Sequence, residues 1–126
     1  MKTSQRLKTR VQKEINSRRD ELTALSLLLH SNPELSLNEI LAAEWLGDYL
    51  EKAGLKTVCP AYGLRTAFEA TYGNEGPNIG IIAEYDALPD IGHACGHNII
   101  GTAALAAGIA IKPVIDEVGG TVHVIG

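Results

Sequence analysis

The 126-residue chain predicts an α/β fold, a mixed sheet flanked by helices, from three observations. Ile79, Ile81, Ile82 and Ala83 form an apolar run that reads as a buried strand over residues 78–84. Residues 99–111 are rich in Ala and Gly, the pattern of a helix that packs closely on a sheet. Residues 121–125 read as a further strand. It should run parallel to the first, because a helix crosses between them.

The other elements follow from local signals. Val11, Ile15, Leu22, Leu25 and Leu29 keep a helical period, and Pro33 predicts an end near Ser31. Ser36, Leu37, Asn38 and Glu39 have the spacing of a capping box, which predicts a second helix starting there. Its buried stripe is Ala42, Ala43, Leu46, Leu50 and Ala53, and Gly54 closes it with Leu55 folding back. Trp45 reads as a packing residue. Residues 56–59 are a short candidate strand. Residues 66–72 alternate Thr66, Phe68, Ala70 and Tyr72 against Ala67, Glu69 and Thr71, so one face should be wetter. Turns are expected at residues 73–77 and 118–120.

Composition narrows the class. Hydrophobic residues make up 45% and charged residues 21%, the balance of a soluble, globular single domain. A net charge of −4 argues against a nucleic-acid partner. The early basic residues, among them Arg6, Lys8, Arg10 and Lys13, read as a solvated helix face. The apolar window over 99–111 is too short to span a membrane, and Lys112-Pro113 is expected to end it. No secretory signal is visible, so Cys59 and Cys95 are expected as free thiols in the cytoplasm, Cys59 as a buried structural one.

The chemistry concentrates in the loop from Ile82 to Asn98, I-A-E-Y-D-A-L-P-D-I-G-H-A-C-G-H-N. It leaves the carboxyl end of a strand, where α/β sheets carry their sites. Cys95 as thiolate and His97 as neutral imidazole are good ligands for a divalent metal. Glu84, Asp86, Asp90 and His93 stand near them in sequence. Each also has a plain structural reading. Glu84 ends a strand at the surface, Asp86 caps a turn, Asp90 is a solvated turn residue, and His93 bonds backbone to hold the loop. Thiol chemistry at Cys95 is the rival reading. An acidic surround disfavours a thiolate without a bound cation, which favours metal.

E-Y-D-A-L-P followed by G-H-A-C-G-H-N resembles the metal loop of metallopeptidase family 20. This family comprises aminoacylase-like amidohydrolases, carboxypeptidases and dipeptidases. The aminobenzoyl-glutamate hydrolase and dipeptidase-like branch is the nearest in pattern. L-H-S-N-P-E-L-S at residues 29–36, G-L-R-T-A-F at 63–68 and G-T-V-H-V-I-G at 120–126 are similar to further family segments. The last of these resembles the strand that leads into a T-P-A-E-E motif.

The resemblance implies a zinc-peptidase-like fold, with residues 1–126 as the N-terminal portion of the catalytic domain. The family's lid or dimerisation domain is not in this sequence. Cys95 and His97 would be metal ligands, Cys95 bridging two ions, zinc or manganese. Asp86 would serve catalysis by orienting the metal centre, with Glu84 and His93 as outer supports. Glu84 stands where many relatives carry a histidine ligand, and His97 would replace that ligand. Asp90 replaces a glycine and can adopt its left-handed conformation. The implied activity is hydrolysis of the amide bond in N-acyl or N-aroyl amino acids or dipeptides, in a protein that can form homo-oligomers. This portion alone is expected to be inactive, because the family's glutamate base lies outside it. A non-catalytic scaffold or interaction piece is the alternative.

Overall fold

The computed structural model describes residues 2–126. Helices α1 (Lys2–Ser17), α2 (Arg19–Ser31) and α3 (Ile40–Lys52) come first. Strands β1 (Lys56–Val58), β2 (Glu69–Gly73) and β3 (Asn78–Ile82) follow, then α4 (His97–Ala110), α5 (Lys112–Val118) and β4 (Thr121–Ile125). The strands form one mixed sheet in the order β1-β2-β4-β3. β4 pairs antiparallel with β2 and parallel with β3, as the crossover through α4 requires.

One core joins the helices to the sheet. Leu29 of α2, Leu46 and Leu50 of α3, Leu105 of α4, Phe68 and Val124 are fully buried within it. Trp45 packs against this cluster, as its role as a packing residue predicts. The strand expected over 66–72 forms only from Glu69 as β2; within it Ala70 is buried and Glu69 and Thr71 are half-exposed, while Ala67, expected on the wetter face, is buried before the strand begins. Gly54 adopts a φ of 91° and closes α3. Its N–H bonds the Glu51 carbonyl, and the Leu55 N–H bonds that of Leu50, so Leu55 folds back into the core.

Four elements differ from the sequence reading. The first helical stretch is two helices, broken at Arg18, whose φ of −106° and ψ of 10° leave the helical region. Leu22, Leu25 and Leu29 of α2 are buried, whereas Ile15 of α1 is exposed. The capping box does not form, because Leu37 takes a left-handed φ of 67° and α3 starts only at Ile40. Instead the Glu34 carboxylate accepts the N–H groups of Leu41 (3.1 Å) and Ala42 (2.8 Å). β3 is an edge strand rather than a buried one, with Ile79 and Ile82 exposed. Finally, α4 ends at Ala110, close to the expected stop, but Lys112-Pro113 opens a further helix, α5, rather than a loop. Pro113 sits in the first turn of α5, where its missing N–H costs nothing. The apolar helical run over 97–118 is thus long enough by length and composition to cross a membrane, but 56% of its most apolar stretch is buried inside the fold.

α4 lies close on the sheet because it lacks side chains at two contacts. A Cβ at Gly108 would stand 2.3 Å from Val124 Cγ2, and one at Gly101 would stand 2.9 Å from the Glu84 carbonyl oxygen. Gly108→Val is therefore expected to lower the unfolding free energy by about 1–3 kcal/mol through overpacking. An unchanged urea midpoint would show instead that α4 can lift away from β4. Glu34→Ala should cost about 1 kcal/mol, the typical loss for a helix cap. A thermal melt that matches wild type would deny Glu34 that role.

Candidate metal centre

The loop between β3 and α4 is tied at several points. The Ala87 N–H bonds the Glu34 carbonyl at 2.7 Å, so one residue both caps α3 and anchors the loop. Leu88 and Gly92 exchange backbone hydrogen bonds around a tight turn, in which Asp90 takes a left-handed φ of 67° as its sequence position predicts. Tyr85 is buried, stacks on Phe68 and donates its hydroxyl to the Thr66 carbonyl. Burial pushes the Tyr85 phenol far up, so it remains a donor. Gly96, at a φ of 78°, turns the chain into α4. Asn98 donates from Nδ2 to the Ser26 hydroxyl at 3.1 Å and pins the start of α4 to α2.

His97 is the first residue of α4 and faces two carboxylates. Its Nδ1 lies 2.7 Å from Asp86 Oδ1 and 2.9 Å from the Asp86 carbonyl oxygen. Its Nε2 lies 3.2 Å from Glu84 Oε2. A carbonyl oxygen can only accept, so Nδ1 carries the hydrogen and donates it to Asp86. A carboxylate that receives Nδ1–H fixes the ring's orientation, the usual arrangement behind a metal-bound histidine.

Cys95 is exposed, two residues before His97, and is a free thiol. No hydrogen bond joins it to a histidine among the described residues, and the nitrogens of His97 face Asp86 and Glu84 instead. His93 is buried and stacks on His30 with ring centroids 6.5 Å apart, and its Nδ1 has no hydrogen-bond partner among the described residues. Burial, then the nearby His30 and His97, pushes its imidazole below the ordinary range. Cys59 is exposed, contrary to expectation, beside Asp48 and Glu44.

The structure thus brings Glu84, Asp86 and His97 together, with His93 behind the loop and Cys95 at the surface. Among the described residues, no three His, Cys, Asp or Glu side chains form a complete metal site. The donor types suit part of one: a thiol, an oriented imidazole and a carboxylate. Glu34, Tyr85 and Asn98 do the positioning. The sequence carries no local signal for Glu34 or Tyr85, because their partners are distant in the chain.

No family model matches the chain. It is 34% identical to a p-aminobenzoyl-glutamate hydrolase of Escherichia coli, over 89% of this chain and 27% of that protein. It is 36% identical to human Xaa-Arg dipeptidase, over 87% of this chain and 28% of that one. Among solved structures it resembles a Bacillus subtilis dinuclear metal-binding peptidase of the M20 family, with a TM-score of 0.77 and 25% identity. That match covers 87% of this chain and 35% of the peptidase. The chain is therefore similar in sequence to these two hydrolases and in fold to the M20 peptidase, and it spans between about a quarter and a third of their lengths.

Proposed function

We propose that residues 1–126 are the N-terminal portion of the catalytic domain of a metal-dependent amidohydrolase or dipeptidase. In this reading the lid or dimerisation domain lies outside them. The substrates are N-acyl or N-aroyl amino acids or dipeptides, small molecules of the kind named in two of the similar proteins. The observation that carries the reading is His97, held by Asp86 through Nδ1 with Nε2 turned toward Glu84. Cys95 and His97 would hold the metal. Asp86 holds Nδ1 of His97 and so orients its ring. A bound pair of divalent ions would supply carbonyl polarisation and an acidified water. The free thiols of Cys59 and Cys95 suit a reducing compartment such as the cytoplasm.

The remaining chemistry needs a general base to move a proton from water to the leaving amine. The resemblance puts that base in an adjacent glutamate pair, and these 126 residues contain none. Thiol catalysis at Cys95 finds less support. An activated thiol needs a hydrogen-bonded base, and neither His93 nor His97 offers Cys95 a hydrogen bond.

Cys95→Ser is expected to strip metal from the complete enzyme and abolish activity, because a hydroxyl is a far poorer ligand than a thiolate. Asp86→Asn should retain some metal while losing about 10–100-fold in affinity or rate. Metal analysis with chelator and alkylator assays checks both. Unchanged metal content in Cys95→Ser, with inhibition by alkylation alone, would establish thiol chemistry instead. Residues 1–126 by themselves should show no turnover of an acyl-amino acid. Chelator-sensitive hydrolysis by this purified chain would contradict that expectation.

A further inference from the structure

A cavity of about 220 Å³ lies beside the loop, lined by Glu39, Thr66, Glu84, Tyr85 and Asp86 among others. Two of these side chains are polar, deeply buried and without a partner. From them we infer that the cavity is a subsite for a small organic cation that donates hydrogen bonds, such as a guanidinium group. Binding there needs no metal, so the subsite stands apart from the metal-centre reading.

Glu39 is 7% exposed. It follows Ser36 by three residues and would suit a helix cap, but the Glu34 carboxylate already accepts the N–H groups of Leu41 and Ala42. The Glu39 carboxylate therefore caps nothing, and it makes no hydrogen bond or ion pair among the described residues. It stands near Tyr85: burial, then the Glu39 charge, pushes the Tyr85 phenol up. Tyr85 cannot serve as its partner, because the phenol hydrogen goes to the Thr66 carbonyl. Thr66 is 8% exposed, and its hydroxyl likewise has no partner among the described residues. A carboxylate withdrawn from water without a partner is strongly unfavourable, and a cation in the cavity removes that cost.

Charge and shape select the class of ligand. Glu84 and Asp86 add two carboxylates to the wall, and no Lys or Arg lines it among the described residues. These acids do not converge on one point as the ligands of a single metal ion do. They are spread around a space instead, which suits a cation carrying several N–H donors, as the planar guanidinium does. The volume is that of about seven waters at about 30 Å³ each, room for one cationic head group rather than a whole substrate.

Titration of the chelator-treated 126-residue chain with methylguanidinium, followed by amide NMR, tests this. Saturable shifts should appear at Glu39, Thr66 and Tyr85, with half-saturation at about 1 mM for so small a ligand. Methylurea, neutral and of similar shape, should bind about 10-fold more weakly or worse. Glu39→Gln, which keeps the shape and removes the charge, should weaken methylguanidinium binding by about 10–100-fold, and Thr66→Val by about 3–10-fold. Circular dichroism checks the fold of each variant, and the comparison of the two ligands needs no variant at all. Equal binding of methylurea and methylguanidinium would overturn the cation subsite. So would an unchanged affinity in Glu39→Gln, which would make Glu39 a protonated carboxyl that needs no counter-charge. Shifts confined to other residues, or no saturation below about 100 mM, would overturn it as well. None of these results touches the metal centre, which Cys95→Ser tests separately.

Discussion

The close approach of α4 to the sheet is the constraint on which the site geometry rests. Val124 occupies the space above Gly108, and the Glu84 carbonyl occupies the space above Gly101. A side chain at either glycine would push the helix outward, because packed interiors leave no room for an added methyl group. The crossover also forces β3 and β4 to be parallel neighbours, so the loop leaves the carboxyl end of β3. His97 opens α4, so the seating of this helix sets how far the imidazole stands from Glu84 and Asp86.

Around that helix, polar ties hold a long loop in one conformation. Glu34 serves two elements at once, with its carboxylate on the start of α3 and its carbonyl on the Ala87 N–H. Tyr85 and Asn98 reach Thr66 and Ser26, so the loop is stitched to the sheet and to α2. Most of these bonds are local to the site but distant in sequence. A loop so held can present ligands with little loss of conformational freedom on binding, which is the physical content of preorganisation.

Electrostatics give the site its sense. Two carboxylates, of Asp86 and Glu84, face the two ring nitrogens of one imidazole, that of His97. Such an arrangement favours a cation. The exposed thiol of Cys95 adds a soft donor beside it in the chain. On the far face of the sheet, His123 lies between Glu69 (2.9 Å) and Asn78 (3.0 Å), and its hydrogen bond holds the Glu69 carboxyl below the usual range. That pair bonds strand to strand and stands apart from the loop.

What the sequence determined by itself was whatever depends on near neighbours. Alternation set the half-exposed Glu69 and Thr71 against the buried Ala70, Gly54 and Leu55 set the end of α3, and Asp90 tolerated its left-handed turn. The parallel pairing of β3 and β4 was also legible, since a helix between two strands leaves little choice. Cys95 and His97 read as ligand chemistry from residue type and spacing, and the fold sets His97 against Asp86. Only the tertiary structure decided the rest. An apolar strand reads alike at the edge or the centre of a sheet, and the order β1-β2-β4-β3 put β3 at the edge. The Ser36–Glu39 pattern lost to Glu34, because the turn at Leu37 carried the serine away from the helix start. The meeting of Glu84 with Nε2 of His97 joins residues thirteen positions apart. No local period encodes that contact. It arises because β3 and α4 deliver both residues to the same end of the sheet.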